Sequence, residues 1–204
     1  MAQKARERFR SLLLRYVENP GARALRRLGF SPNLVTVMGF LIVVLSAILV
    51  GMGHLRIGGL VFLAGGTLDL FDGALARLSQ RVTPFGALLD ALLDRLGEAA
   101  LFLGLTIYAL RIDPESRNLV VFMTLLMLAL VGSQAVSYLR ARGEALGIDT
   151  RGGLMTRPER VVILAAGLII GEAIVPSALG VIAFFSLWTM MSRLIHIWRK
   201  AGTG

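Results

Sequence analysis

Six predominantly apolar runs follow one another along the chain, at about residues 34–52, 57–77, 84–110, 119–138, 161–174 and 177–198. A helix needs about 20 apolar residues to cross hydrocarbon at ~1.5 Å per residue, so these runs predict six transmembrane helices. The third is long enough to tilt or to extend beyond the bilayer; the fifth is short and leans on its flanks. Polar breaks separate the runs. Ser31-Pro32-Asn33 starts the first, since a serine before a proline is a fair helix start. Ser79-Gln80-Arg81, with Thr83-Pro84 after it, turns the second run into the third as an antiparallel hairpin. A polar loop at 111–118 leads to the fourth, and Pro176 opens the sixth.

Ahead of the first run, residues 1–30 carry eight basic residues, from Lys4 to Arg27, against Glu7 and Glu18. Phe9, Leu12, Leu13, Tyr16 and Val17 add an apolar stripe. That pattern predicts an amphipathic helix lying on the membrane surface; a basic tail without structure is the alternative. A cleavable signal peptide is excluded by the lack of a compact apolar core followed by a small-residue cleavage site. The expected fold is thus an all-α integral membrane protein. It has an N-terminal interfacial helix over 1–30 and a six-helix membrane domain over 31–204.

Composition agrees, with 55% hydrophobic residues and a mean hydropathy of +0.71 over 204 residues. There is no cysteine, hence no disulfide, thiolate metal site or thiol nucleophile. The two histidines, His54 and His196, stand near segment ends, which disfavours a histidine metal site. The formal charge is +9. Its carriers flank apolar spans, so membrane topology and anionic lipid account for it better than nucleic acid. Eighteen Lys and Arg fall on the side of the two termini, the 78–83 turn with Arg77, and the 140–160 segment. Three, Arg56, Arg111 and Arg117, fall on the other. The side richer in Lys and Arg is cytoplasmic, which places both termini and the hairpin turn there.

Four aspartates break the apolar pattern. Asp69 and Asp72 are three residues apart near the end of the second run; Asp90 and Asp94 are four apart near the start of the third. On helices each pair projects from one face. Asp69 lies ~12 Å before Arg77 and Asp94 ~15 Å after Pro84, so the hairpin brings the pairs to similar depth. A charge at the centre of a bilayer costs about 2.5–3.5 kcal/mol on insertion scales, and something must compensate. Four converging carboxylates are oxygen ligands for hard divalent cations such as Mg or Mn. Two such ions clamp the attacking and leaving oxygens in phosphoryl displacement. Gly73, Ala76 and Gly86 stand one turn from the aspartates and open room for a ligand, and Arg77 is a candidate phosphate contact. A cation path lined by carboxylates, in a transporter with no catalysis, is the reading of another class; it has no use for Arg77.

The spacing D-x2-D-G-x2-A-R-x8-G-x3-D-x3-D resembles the signature of the CDP-alcohol phosphotransferase family at all eight fixed positions, Asp69, Asp72, Gly73, Ala76, Arg77, Gly86, Asp90 and Asp94. The resemblance implies a phosphatidyl transfer from CDP-diacylglycerol to the hydroxyl of a polar alcohol with release of CMP, in a homodimer. It implies that Asp69, Asp72 and Asp90 hold metal. Asp94 is then the candidate general base, also touching a metal. Pro32-Asn33-x-x-Thr36 resembles the family's entry segment near the nucleotide, which makes Asn33 and Thr36 candidate CDP contacts beside Gly73, Ala76, Arg77 and Gly86. Ordinary helix capping is the alternative for Asn33 and Thr36. The cleft then opens to cytoplasmic water in a prokaryotic inner or plasma membrane.

A second constellation lies on the same side. Arg140, Arg142, Arg157 and Arg160 recur at short spacing, with Glu144 and Glu159 placed to orient them. Guanidinium groups bind phosphate bidentately; topology signalling and lipid headgroup contact are the competing reading. The stretch SYLRARGEALG…GGLMTRPER, with Arg95 after Asp94, is similar to the subgroup of the family that makes phosphatidylinositol phosphate from inositol 1-phosphate. That similarity implies that Arg140, Arg142, Arg157 and Arg160 hold the acceptor phosphate, with Arg193 and Ser137 contributing. Ala91 and Arg95 depart from the phosphatidylglycerophosphate synthases, which use glycerol 3-phosphate and remain the alternative. Glu98 continues the stripe Gly86, Asp90, Asp94 and is expected to partner the site or Arg95 rather than bind metal.

Overall fold

A computed structural model describes residues 18–112, 118–150 and 153–201. The expected surface helix falls largely on residues 1–17, outside the described residues; its last part is a helix, α1 (Asn19–Arg27). Six more follow among the described residues: α2 (Pro32–Gly51), α3 (Leu55–Leu78), α4 (Pro84–Ile112), α5 (Leu119–Ala145), α6 (Arg157–Ile170) and α7 (Val175–Ala201). The regular structure of the described residues is all helical. Four helices, α2, α3, α5 and α7, are long and apolar enough to cross a membrane.

The helix limits follow local chemistry. Ser31 caps α2, its Oγ accepting the amide of Leu34 at 3.3 Å. Thr83 does the same for α4, accepting the Gly86 amide at 3.0 Å, with Pro84 at the first helical position. No breaker stops α5 at residue 138, so it runs on to Ala145 and ends where Gly147 turns left-handed at φ 71°. α6 starts four residues earlier than the apolar run because Thr156 and Glu159 form a capping box. It stops at Ile170, where Gly171 takes φ 126°.

The described chain divides into two compact units. One runs to Val43 and resumes over 64–97, so it holds α1, the start of α2, the end of α3 and the start of α4. Ala22, Val35, Ala74 and Leu75 form its core, with Leu25, Phe30, Leu68 and Leu78 packed around them. α1 lies against α3: a Cβ on Gly21 would sit 2.7 Å from Cε1 of Phe71. Arg26 Nη1 donates to the Leu78 carbonyl at 3.0 Å and so serves the end of α3. α2 and α3 touch through Gly65, where a Cβ would come within 2.8 Å of Val43 Cγ2. Small residues at such crossings let helices in lipid approach closely.

The second unit holds 44–63 and the described residues from 98 onward. In it α5 packs along α7, and α6 against α7. Leu101, Leu105, Leu126, Leu168 and Leu179 are fully buried. A Cβ on Gly104 would run into the Ala47 carbonyl, so that glycine lets two backbones meet. Ser46 Oγ donates to the Gly58 carbonyl at 2.7 Å, which satisfies a hydroxyl that hydrocarbon would otherwise penalise.

Candidate active site

Three of the four aspartates converge in the first unit. Each of Asp69, Asp72 and Asp90 offers a carboxylate oxygen, and these lie within 4.8 Å of one another. Asp69 and Asp72 come from one face of α3, and Asp90 comes from the second turn of α4. Asp72 is buried and the other two are half-buried. Asp94, one turn further along α4 and half-buried, is not a member of that three-oxygen group. A hard oxygen set this compact, inside an apolar helix pair, fits a divalent metal.

Thr36 sets the orientation of the buried aspartate. Its Oγ1 lies 2.6 Å from Asp72 Oδ2 and 3.1 Å from the Pro32 carbonyl. The hydroxyl has one proton, and the shorter contact to a carboxylate takes it.

Beside the carboxylates is a cleft of about 330 Å³. Asn33, Thr36, Asp72, Gly73, Ala76, Arg77, Gly86 and Asp90 all line it, so every nucleotide residue expected from the sequence is at this one place. Gly73 leaves space: a Cβ there would meet only Arg77 Nη1, at 3.5 Å. Gly86 is tighter, since its Cβ would come within 3.0 Å of both Asn33 Oδ1 and Thr83 Oγ1. The N-terminal turns of α2 and α4 both border the cleft. Their free amides and dipoles favour an anion. Arg77 Nη2 pairs with Glu18 at 3.3 Å, and its side chain is 61% exposed, so solvent screens that contact.

Arg81, which no sequence motif marks, also lines this cleft. α3 ends in a Schellman motif: Gln80 takes φ 53°, its amide reaches the Arg77 carbonyl at 3.3 Å, and the Arg81 amide reaches Ala76 at 3.0 Å. The motif folds the chain back so that Arg81 lines the cleft with Ala76 and Arg77. Glycine is the usual signal for such a turn, and a glutamine there hides it.

The second unit holds the arginines. Arg193 is buried, donates from Nη1 to the Val136 carbonyl at 2.7 Å, and lies close enough to Arg140 and Arg160 to feel their charges. Arg140 pairs with Glu144 at 3.1 Å on the surface. Arg142 is exposed, and Arg157 and Ser137 are half-buried. Glu98, expected beside the site or Arg95, grips Arg160 at 2.7 and 3.0 Å, while Arg95 Nη1 donates to Ala91 within α4 at 2.8 Å. Glu159 accepts from the Thr156 amide and hydroxyl and so serves the α6 cap.

The described geometry agrees with a comparison across known proteins. Residues 30–198 match the CDP-alcohol phosphatidyltransferase family. The chain belongs to that family. It is therefore a transferase, and the CDP-alcohol phosphatidyltransferase signature carries the aspartates just described. Among its relatives, the phosphatidylinositol phosphate synthase of Mycobacteroides abscessus is 39% identical over 184 residues, covering 87% of this chain and 82% of the relative. The archaetidylinositol phosphate synthase of Methanothermobacter thermautotrophicus is 34% identical over 198 residues, covering 94% and 93%. The crystal structure of Mycobacterium tuberculosis phosphatidylinositol phosphate synthase with CDP-DAG bound superposes with a TM-score of 0.79 at 33% identity, covering 89% of this chain and 94% of that one. A second structure of that enzyme, in complex with manganese and citrate, gives a TM-score of 0.78 at 33% identity and 89% coverage of each chain.

Proposed function

We propose that this CDP-alcohol phosphatidyltransferase moves the phosphatidyl group of CDP-diacylglycerol onto inositol 1-phosphate, giving phosphatidylinositol phosphate and CMP. One observation carries the choice of acceptor. A bacterial and an archaeal relative differ by name in the lipid they build on, yet both names end in inositol phosphate synthase. The buried Arg193, close to Arg140 and Arg160, supports a phosphorylated acceptor.

Asp69, Asp72 and Asp90 would hold Mg or Mn, two ions in all, with Asp94 touching one of them. The metal supplies neutralisation of the charge that builds on the CMP leaving group. Arg77 contacts the donor phosphates, and Asn33, Thr36, Gly73, Ala76 and Gly86 receive the nucleotide. Asp94 takes the proton from the acceptor hydroxyl. The hydroxyl oxygen forms a bond to the lipid-side phosphorus as the bond from that phosphorus to the CMP oxygen breaks. A carboxylate near a cation is a weak base, so orientation and fixed charge carry most of the rate. Arg140, Arg142, Arg157, Arg160 and Arg193 hold the acceptor phosphate, and Ser137 hydrogen-bonds the acceptor.

The same reading makes the chain a homodimer of six-span protomers with a juxtamembrane helix over 1–30 and a membrane domain over 31–204. Both termini and the cleft face the cytoplasm, membrane lipid surrounds the bundle, and no nucleic acid takes part. CMP release by detergent-purified protein, with CDP-diacylglycerol and Mg, tests the acceptor. Release is expected with inositol 1-phosphate and not with free inositol. Release with glycerol 3-phosphate alone would make the chain a phosphatidylglycerophosphate synthase. Metal flux into liposomes without CMP release would return it to the transporter class.

A further inference from the structure

Arg160 sits in the first turn of α6 with its side chain 3% exposed, and Glu98 on α4 takes hold of it by one edge. Nε donates to Oε1 at 2.7 Å and Nη2 donates to Oε2 at 3.0 Å. A guanidinium carries five N–H groups in one plane. This side-on grip uses the Nε hydrogen and one Nη2 hydrogen. The other Nη2 hydrogen and one on Nη1 form a second fork along the far edge, and such a fork matches two oxygens of a phosphate. The neighbourhood favours an anion there. Arg193, itself buried, is close enough to Arg160 and Arg140 to feel both charges. Glu144, which pairs with Arg140, is about half exposed and therefore screened. Glu98, at 13% exposure, lets Arg160 stay charged inside the bundle.

We propose that Glu98 is a positioning residue for the transfer reaction, holding the Nε edge of Arg160 so that its Nη edge is presented to the phosphate of a phosphomonoester acceptor. This rests on the reading that the acceptor is phosphorylated. Glu98 touches no reacting atom; it acts through Arg160.

Orientation and charge predict opposite signs, which makes the idea testable. Replacing Glu98 with glutamine removes a negative charge beside the arginine, and Coulomb attraction alone would then tighten phosphate binding. The amide NH₂ would also face a guanidinium N–H, so the grip fails and the fork rotates. Positioning therefore predicts an acceptor KM about tenfold higher in Glu98→Gln, the effect of one misplaced charge-assisted hydrogen bond. KM for CDP-diacylglycerol should stay within about twofold. Arg160→Lys keeps the charge but not the fork, and should raise acceptor KM alike. Glu98→Asp keeps the carboxylate and should recover most of the affinity. Thermal melting in detergent identifies which variants are folded. If Glu98→Gln is not, the lysine and aspartate variants decide the matter by the same KM ratio. Acceptor KM at or below the wild-type value in folded Glu98→Gln or Arg160→Lys overturns the proposal while leaving the acceptor assignment intact. A wild-type enzyme that turns over free inositol and no phosphorylated alcohol overturns both.

Discussion

Replacing Thr36 with valine keeps the shape of the side chain and removes the hydroxyl that lies 2.6 Å from Asp72 Oδ2. Thr36 is 7% exposed and Asp72 5%, so water does not replace the lost donor. A hydrogen bond to a charged group is worth about 1.5–3 kcal/mol. At about 1.4 kcal/mol per decade, that is about a 10- to 150-fold change in an equilibrium. With Asp72 as a metal ligand, the loss falls on metal affinity, because the carboxylate no longer has a fixed rotamer. The assay is CMP release as a function of Mn concentration. Half-saturation in Thr36→Val should move up by that factor, and Thr36→Ser, which restores the donor, should return most of it. A valine variant with half-saturation within about twofold of wild type would refute the argument, since Thr36 would then be packing and nothing more.

Further outcomes follow from the same structure. Asp94→Asn should abolish turnover while CDP-diacylglycerol binding, followed by ligand-induced thermal shift, largely survives; near-normal turnover would remove Asp94 from the role of base. Exhaustive chelation should stop CMP release, and Mn or Mg should restore it, whereas activity that persists in metal-free protein would contradict the carboxylate centre. Gly104→Val should lower stability by about 1–3 kcal/mol through its collision with the Ala47 carbonyl, read as a lower melting temperature in detergent; an unchanged melt would mean the helices separate freely at that point.

The aspartates were legible in the sequence because a charge inside an apolar run needs a reason, and i,i+3 and i,i+4 spacing turns that reason into a face. Asp69, Asp72 and Asp90 do meet, and Asn33, Gly73, Ala76, Arg77 and Gly86 border one cleft with Asp72 and Asp90. The start of α2 was equally readable, through Ser31. The start of α6 was encoded as well, in Thr156 and Glu159, but an apolar run draws the eye to Val161 and past the capping box. What one chain cannot announce is a pairing across distant segments. Glu98 and Arg160 are 62 residues apart, and at the level of sequence Arg95 or Asp94 was the nearer partner. The hydrogen bond from Thr36 to Asp72 is hidden in the same way, since the two are 36 residues apart. The left-handed Gln80 lacks the glycine that marks such turns, and so Arg81 was passed over.

The most direct test of the central claim is the mass of the lipid product. Wild-type protein would receive CDP-diacylglycerol, a divalent metal, and inositol 1-phosphate and glycerol 3-phosphate at equal concentration. The account predicts that phosphatidylinositol phosphate dominates, with CMP formed in equal amount. Phosphatidylglycerophosphate as the main product would contradict it.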